Sequence, residues 1–265
     1  MNVERTTDPQ GGVIYNFGPN NIIQRPAWPT AMDASEPANF TEYAVEAYGS
    51  YLDFIKKIAA DESLSAKGKA DRLDPKSAEA LEVMARTSAA LDKFDHDTDI
   101  KEAVLVNVPA MDATATAEAA IDVEVRQWWR GLTESERARQ LGQMLAHPIV
   151  HQRATLALLR SPVAAWDRNM RELRASWDDA RRAADPATTE AITAAREVSD
   201  VARRTLAHVA GKTAVTVRWE RERMLETILG AKNEFTQRGY GVFGFPEQEV
   251  QRTKLLMQAK QRKAS

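Results

Sequence analysis

Cysteine does not occur among the 265 residues, which removes disulfides, thiolate metal sites, cysteine nucleophiles and iron–sulfur clusters together. Long apolar runs are missing as well. No stretch approaches the roughly 18 residues that a membrane helix needs, so no spanning segment is expected. The opening Met1-Asn2-Val3-Glu4-Arg5 lacks the basic-then-apolar pattern of a secretory signal. These absences fit a reducing compartment, or an assembly made inside a cell. What the chain does have is a 43% apolar fraction, ample for a folded protein. At this length one large core or two modest ones are both possible.

The small formal charge of −2 hides an asymmetry. Residues 1–121 hold 11 Lys or Arg against 20 Asp or Glu, whereas residues 122–265 hold 25 against 18. From Arg126 to Arg204 every basic residue is Arg. Opposite-sign halves suit head-to-tail contacts between subunits, a basic face that meets a polyanion, or simply a large solvated surface.

Residues 1–38 carry five of the 11 prolines, together with Gly11, Gly12, Gly18 and several Asn. Proline at that density forbids a helix of useful length. Val13, Ile14, Tyr15, Phe17, Ile22, Ile23 and Trp28 nevertheless give the segment more apolar surface than a solvated linker carries. An extended arm is expected, with most of its contacts outside its own helical body. From Asn39, an Asn-x-x-Glu pattern with Glu42 predicts a capped helix whose apolar stripe runs from Phe40 to Ile58. Glu62–Arg72 reads as a polar connector, and Asp74-Pro75 as the start of the next helix. Ile100–Val108 reads as a short strand or a buried linker.

Thr116 to Gly131 is predicted helical, with Ile121, Val125, Trp128 and Leu132 on one side. Thr133-x-x-Glu136 is a capping box that opens another helix, broken at His147-Pro148. Val163, Trp166, Met170, Leu173, Trp177, Ala180 and Ala184 then recur in steps of three and four. Asp185-Pro186 restarts a helix through Ala191, Ala195, Val198, Ala202, Thr205 and Val209. Two such helices predict a long antiparallel hairpin, the bulky residues of the first against Val198, Ala202 and Val209 of the second. Thr213 to Val217 is β-branched and weakens the helix expectation there. The expected fold is therefore mainly α: an extended arm (1–38), a helical body (39–160), a hairpin with a following helix (161–238), and an aromatic glycine loop with a basic tail (239–265).

Motifs that carry chemistry all fail on a required residue. His147-Pro-Ile-Val-His151 has metal-ligand spacing, but Pro148 stands where a zinc hydrolase places its Glu. Asp95-His-Asp-Thr-Asp99 opens like a calcium loop, yet Ile100 and Val106 occupy the positions that need Gly and Glu. It reads instead as an acidic helix-to-strand turn. Gly239-x-Gly241-x-x-Gly244 follows a helix rather than a strand, and Pro246 comes close behind. A Gly-x-Ser-x-Gly elbow and a Walker loop do not occur. The Arg residues between Arg168 and Arg204 are interleaved with carboxylates, which favours pairing over phosphate binding. No catalytic residue, metal ligand or cofactor is expected.

Partner contacts are expected instead from Tyr15, Phe17 and Trp28 of the arm, from Tyr240, Phe243 and Phe245 of the glycine loop, and from Arg252, Lys254, Lys260, Arg262 and Lys263 of the tail. The phrase Ile58-Ala-Ala-Asp-Glu-Ser-Leu-Ser-Ala-Lys-Gly-Lys-Ala-Asp-Arg72 resembles a connector in helical structural proteins of tailed bacteriophages, as does the plan of arm, Ala- and Arg-rich helices and no cysteine. The phrase covers 15 residues and contains no catalytic motif. The resemblance implies a non-enzymatic structural or assembly protein of a virion, such as a head, neck or scaffold component. Its partners would be other assembly proteins and further copies of itself, and it would assemble in the host cytoplasm. The alternative is a nucleic-acid-binding or DNA-packaging accessory, with weak, non-specific contact through the tail and no membrane.

Overall fold

The computed structural model describes residues 4–19, 21–29, 35–112, 114–161, 168–230 and 247–264, and the architecture is mainly α. Among these residues one small antiparallel sheet, ordered β1 (Glu4–Thr7), β2 (Val13–Asn16) and β3 (Ile22–Arg25), precedes nine helices. The chain packs as two units, Met1–Thr98 with Ala194–Ser265, and Asp99–Thr193. This division cuts across the four consecutive segments read from the sequence, because stretches distant along the chain share a core.

The N-terminal segment is extended, as its prolines require, but it is not an arm. Asp8 Oδ1 accepts the N–H groups of Gln10 and Gly12 at 2.8 Å each, and Gly11 adopts φ +84°. These contacts close a turn that only a residue without a Cβ enters easily. Cross-strand register sets Tyr15 opposite Ile23 and Val13 opposite Arg25. Two-residue alternation then turns Val13, Tyr15, Phe17 and Ile23 inward. They pack on Val45 and Tyr48 of α1 (Ser35–Ala60), on Met84 and Leu91 of α2 (Ala66–Leu105), and on Leu206 and Val209 of α7 (Pro186–Val217). The expectation of contacts outside its own body is thus corrected: a sheet with an apolar face buries that face at the nearest core.

Several boundaries also move. α1 begins before Asn39, and Glu42 serves the sheet rather than a cap. The expected connector at Glu62–Arg72 shrinks, because Ser65 Oγ accepts the Gly68 N–H at 3.1 Å and α2 starts at Ala66. Pro75 lies inside α2, not at its start. α2 also runs through Asp95–Asp99 and on to Leu105, so neither the acidic turn nor a strand at Ile100–Val108 forms. α7 continues through Thr213–Val217, where Thr213 and Thr216 hydroxyls donate to the carbonyls of Val209 and Lys212 at 2.9 and 2.7 Å. These back-bonds satisfy the hydroxyls within the helix, and Thr213 and Val217 are buried there.

The second unit contains α3 (Thr116–Gly131), α4 (Glu134–Ala146), α5 (Gln152–Leu159) and α6 (Arg168–Ala184). Its core joins Trp129, Leu141, Met144, Leu158, Met170 and Leu173. Thr133 and Glu136 form the expected capping box. Asp185 caps α7 through the Thr188 N–H at 3.1 Å, with Pro186 in its first turn. The residues predicted to face one another across the hairpin belong in part to separate cores. Met170 and Leu173 pack on α3, α4 and α5, whereas Ala202 and Val209 belong to the core of the first unit. Val163 and Trp166 lie outside the described residues. Of the two apolar stripes, Met170, Leu173, Trp177, Ala195, Val198, Ala202, Thr205 and Val209 are buried, whereas Ala184 and Ala191 are exposed.

Candidate interaction surfaces

Of the arm residues expected to meet a partner, Tyr15 and Phe17 are buried, and Trp28 is half-buried against the same core. Phe17 meets Tyr48 edge-on, with ring centroids 5.2 Å apart. Tyr15 Oη donates to Glu42 Oε1 at 2.5 Å, and Arg5 Nη2 donates to the same oxygen at 2.7 Å. Arg25, 5% exposed, donates to the Pro26 carbonyl at 2.7 Å and stacks 4.8 Å from the Trp28 ring. Burial, and then the bond to Glu42, raise the Tyr15 pKa above the ordinary tyrosine value. This cluster holds the sheet to α1, and sequence reasoning missed it because its members are 10 to 37 residues apart.

Tyr240, Phe243 and Phe245 lie outside the described residues. The basic tail is helical, as α9 (Glu247–Ala264), and one side of it is already occupied. Val250 and Thr253 are buried, and Met257 lies beside Gly230 of α8 (Arg221–Gly230). Lys260 donates to Glu226 at 2.5 Å, which raises its pKa, and Arg221 meets Glu249 at 2.8 Å. The opposite side faces solvent. Leu255 is 66% and Leu256 41% exposed, on an apolar face shared with Gln248, Gln251 and Arg252. Helical spacing places Arg262, also exposed, on that face. Lys254 is half-buried at its flank, and Lys263 lies in the last turn.

A second surface was not foreseen. α1 and α2 pack side by side through Tyr51 and Ser77, whose hydroxyls are 2.7 Å apart, and leave a groove of about 350 Å³. Tyr43, Glu46, Ala47, Ser50 and Phe54 line it from α1, and Lys76, Glu79, Ala80 and Val83 from α2. Tyr43 is 52% exposed. The signal in the sequence was the width of the α1 stripe, which is broader than one neighbour covers.

No family model, curated protein or solved structure matches the chain. On α3, the side with Ile121 and Trp128 faces solvent, while Asp122 and Trp129 face inward. Arg160 reaches Asp122 Oδ2 at 3.2 Å and the Pro109 carbonyl at 2.8 Å. Arg203 binds Asp92 and Asp95, and Ser199 donates to Asp95, so the acidic stretch serves as a tie to α7. Arg174 and Arg181 donate to the carbonyls of Val106 and Leu105, closing the end of α2, and Arg168 pairs with Glu172 within α6. Among the described residues no three His, Asp or Glu side chains form a metal-binding set, and His147 and His151 sit at the α4–α5 junction. Also among these residues, no helix is long and apolar enough to cross a membrane.

Proposed function

We propose that the protein is a non-enzymatic structural or assembly component of a tailed-phage virion, a head, neck or scaffold-like part, acting through protein–protein contacts. The outer face of α9 carries this reading: two exposed leucines between basic residues on a helix whose other side is anchored to α8. An apolar ridge flanked by cations is the form in which a helix docks on an acidic protein surface. The resemblance of Ile58–Arg72 to a phage connector supports the virion context. Site of action would be the particle, assembled in the host cytoplasm. DNA contact would be secondary, since Lys260 is committed to Glu226.

Gradient sedimentation of extracts from cells that produce the full-length protein tests this. The wild type should travel with particles far heavier than the 29.5 kDa chain and remain there after nuclease treatment. Replacing both Leu255 and Leu256 by Ser should release it to the top of the gradient. Sedimentation as free chain, or release by nuclease alone, would refute the assembly role.

A further inference from the structure

Resting on that assembly reading, we propose that the outer face of α9 from one copy seats in the α1–α2 groove of a second copy. Among the described residues nothing covers either surface, and their chemistry is complementary. The groove presents Tyr43, Phe54 and Val83 as apolar wall, with the carboxylates of Glu46 and Glu79 and the ammonium of Lys76 at its rim. Lys76 is itself bound to Glu79 at 2.5 Å, so among the described residues of the rim Glu46 is the charge placed to meet an incoming cation. The ridge presents Leu255 and Leu256 as apolar crest, with Arg252 one turn before it and Arg262 two turns after. A third helix laid between two packed helices turns residues at steps of three and four toward them, and that spacing puts Leu255, Leu256 and Ala259 on one face with Arg252 at its edge.

Charge selects the occupant. The groove belongs to the half of the chain with nine more acidic than basic residues, and the ridge to the half with seven more basic than acidic. Locally, the Glu46 carboxylate at the groove rim and the Arg252 guanidinium beside the ridge have opposite signs, so the groove of one copy attracts the ridge of another. Because the two faces differ, each copy retains one free groove and one free ridge after pairing. The contact is heterologous and propagates, either closing into a ring or extending as a filament.

Sedimentation velocity of the purified full-length protein, from low to roughly 100 µM concentration at low salt, decides the matter. The wild type should grow beyond a dimer as concentration rises, and lose that growth at high salt. Arg252→Glu and Glu46→Lys are exposed substitutions, and far-UV circular dichroism should show both folded. Each alone should weaken association about tenfold, and an equimolar mixture should restore growth beyond a dimer: the native ridge of Glu46→Lys meets the native groove of Arg252→Glu, and the reversed charges pair at the alternate contact. A wild type that stays monomeric throughout, or a mixture no better than its components, overturns the self-docking. If Arg252→Glu releases the protein from cellular particles while Glu46→Lys does not, self-docking fails and the assembly reading stands with a different acidic partner. If neither releases it and Leu255→Ser/Leu256→Ser has no effect either, both fail.

Discussion

Tyr15 shows how one phenol ties three strands to a helix. Its pKa is raised, burial being the larger cause and the Glu42 carboxylate the next, so the folded state holds the neutral form. A raised tyrosine contributes stability that is full below about pH 10 and is lost as pH rises through its folded value. Thermal unfolding followed across the alkaline range, with tyrosinate absorbance as a monitor, should show stability falling as the phenol ionises. Tyr51, raised mainly by burial beside Ser77, should add to the same loss. Tyr15→Phe should lower neutral stability by roughly 1–2 kcal/mol and flatten part of the alkaline decline. Asp122 poses the opposite problem. It is fully buried, Oδ2 meets Arg160, and Oδ1 has no hydrogen-bond partner among the described residues. Arg160→Ala should therefore destabilise the second unit by about 3–5 kcal/mol in denaturant titration, since it strands a buried charge. Joint replacement of Asp122 by Leu and Arg160 by Met should cost less than that single change.

Helix identity was readable wherever a local pattern sufficed. Thr116–Gly131 follows from spacing alone and the next helix from the Thr133–Glu136 box, and Thr133→Ala should cost about 0.5–2 kcal/mol. Boundaries failed where a local signal was overruled by neighbours. Pro75 reads as a first-turn residue, yet Ser65 starts the helix earlier, and one missing hydrogen bond is tolerated. Trp177 illustrates the limit of a stripe. Its spacing marks it as buried, which it is, and its Nε1 donates to the Asn107 carbonyl at 3.4 Å. Periodicity says nothing of that partner, 70 residues away. Trp177→Ala should cost about 3–5 kcal/mol, measured as a shift of the unfolding midpoint at constant slope. A change below roughly 0.5 kcal/mol would show that the ring is not packed as described.

At the scale of the molecule, two cores make unfolding unlike that of a single domain. Calorimetry of the whole chain should require more than one two-state transition. Deleting residues 1–29 should lower the transition of the first unit, because Val45, Tyr48, Leu91 and Leu206 lose the apolar face that covers them. A floppy arm would leave the melting unchanged. The candidate site divides along the same line between what is local and what is not. The basic, helix-like tail was legible, since a charge count involves neighbours in sequence, but the exposure of Leu255 and Leu256 on its outer face was not. The groove that would receive it was not, because Tyr43 and Glu79 come together only when α1 packs on α2. The sequence by itself determined the mainly α class, the helix stops at His147 and Asp185, and the unequal charge of the two halves. Tertiary structure alone decided that the proline-rich segment is a sheet on the core, that Tyr15 is buried, and which face of α3 and of α9 remains outside. Such choices depend on which apolar surfaces meet, and burial energy is non-directional, so many pairings satisfy one pattern until the whole chain selects among them.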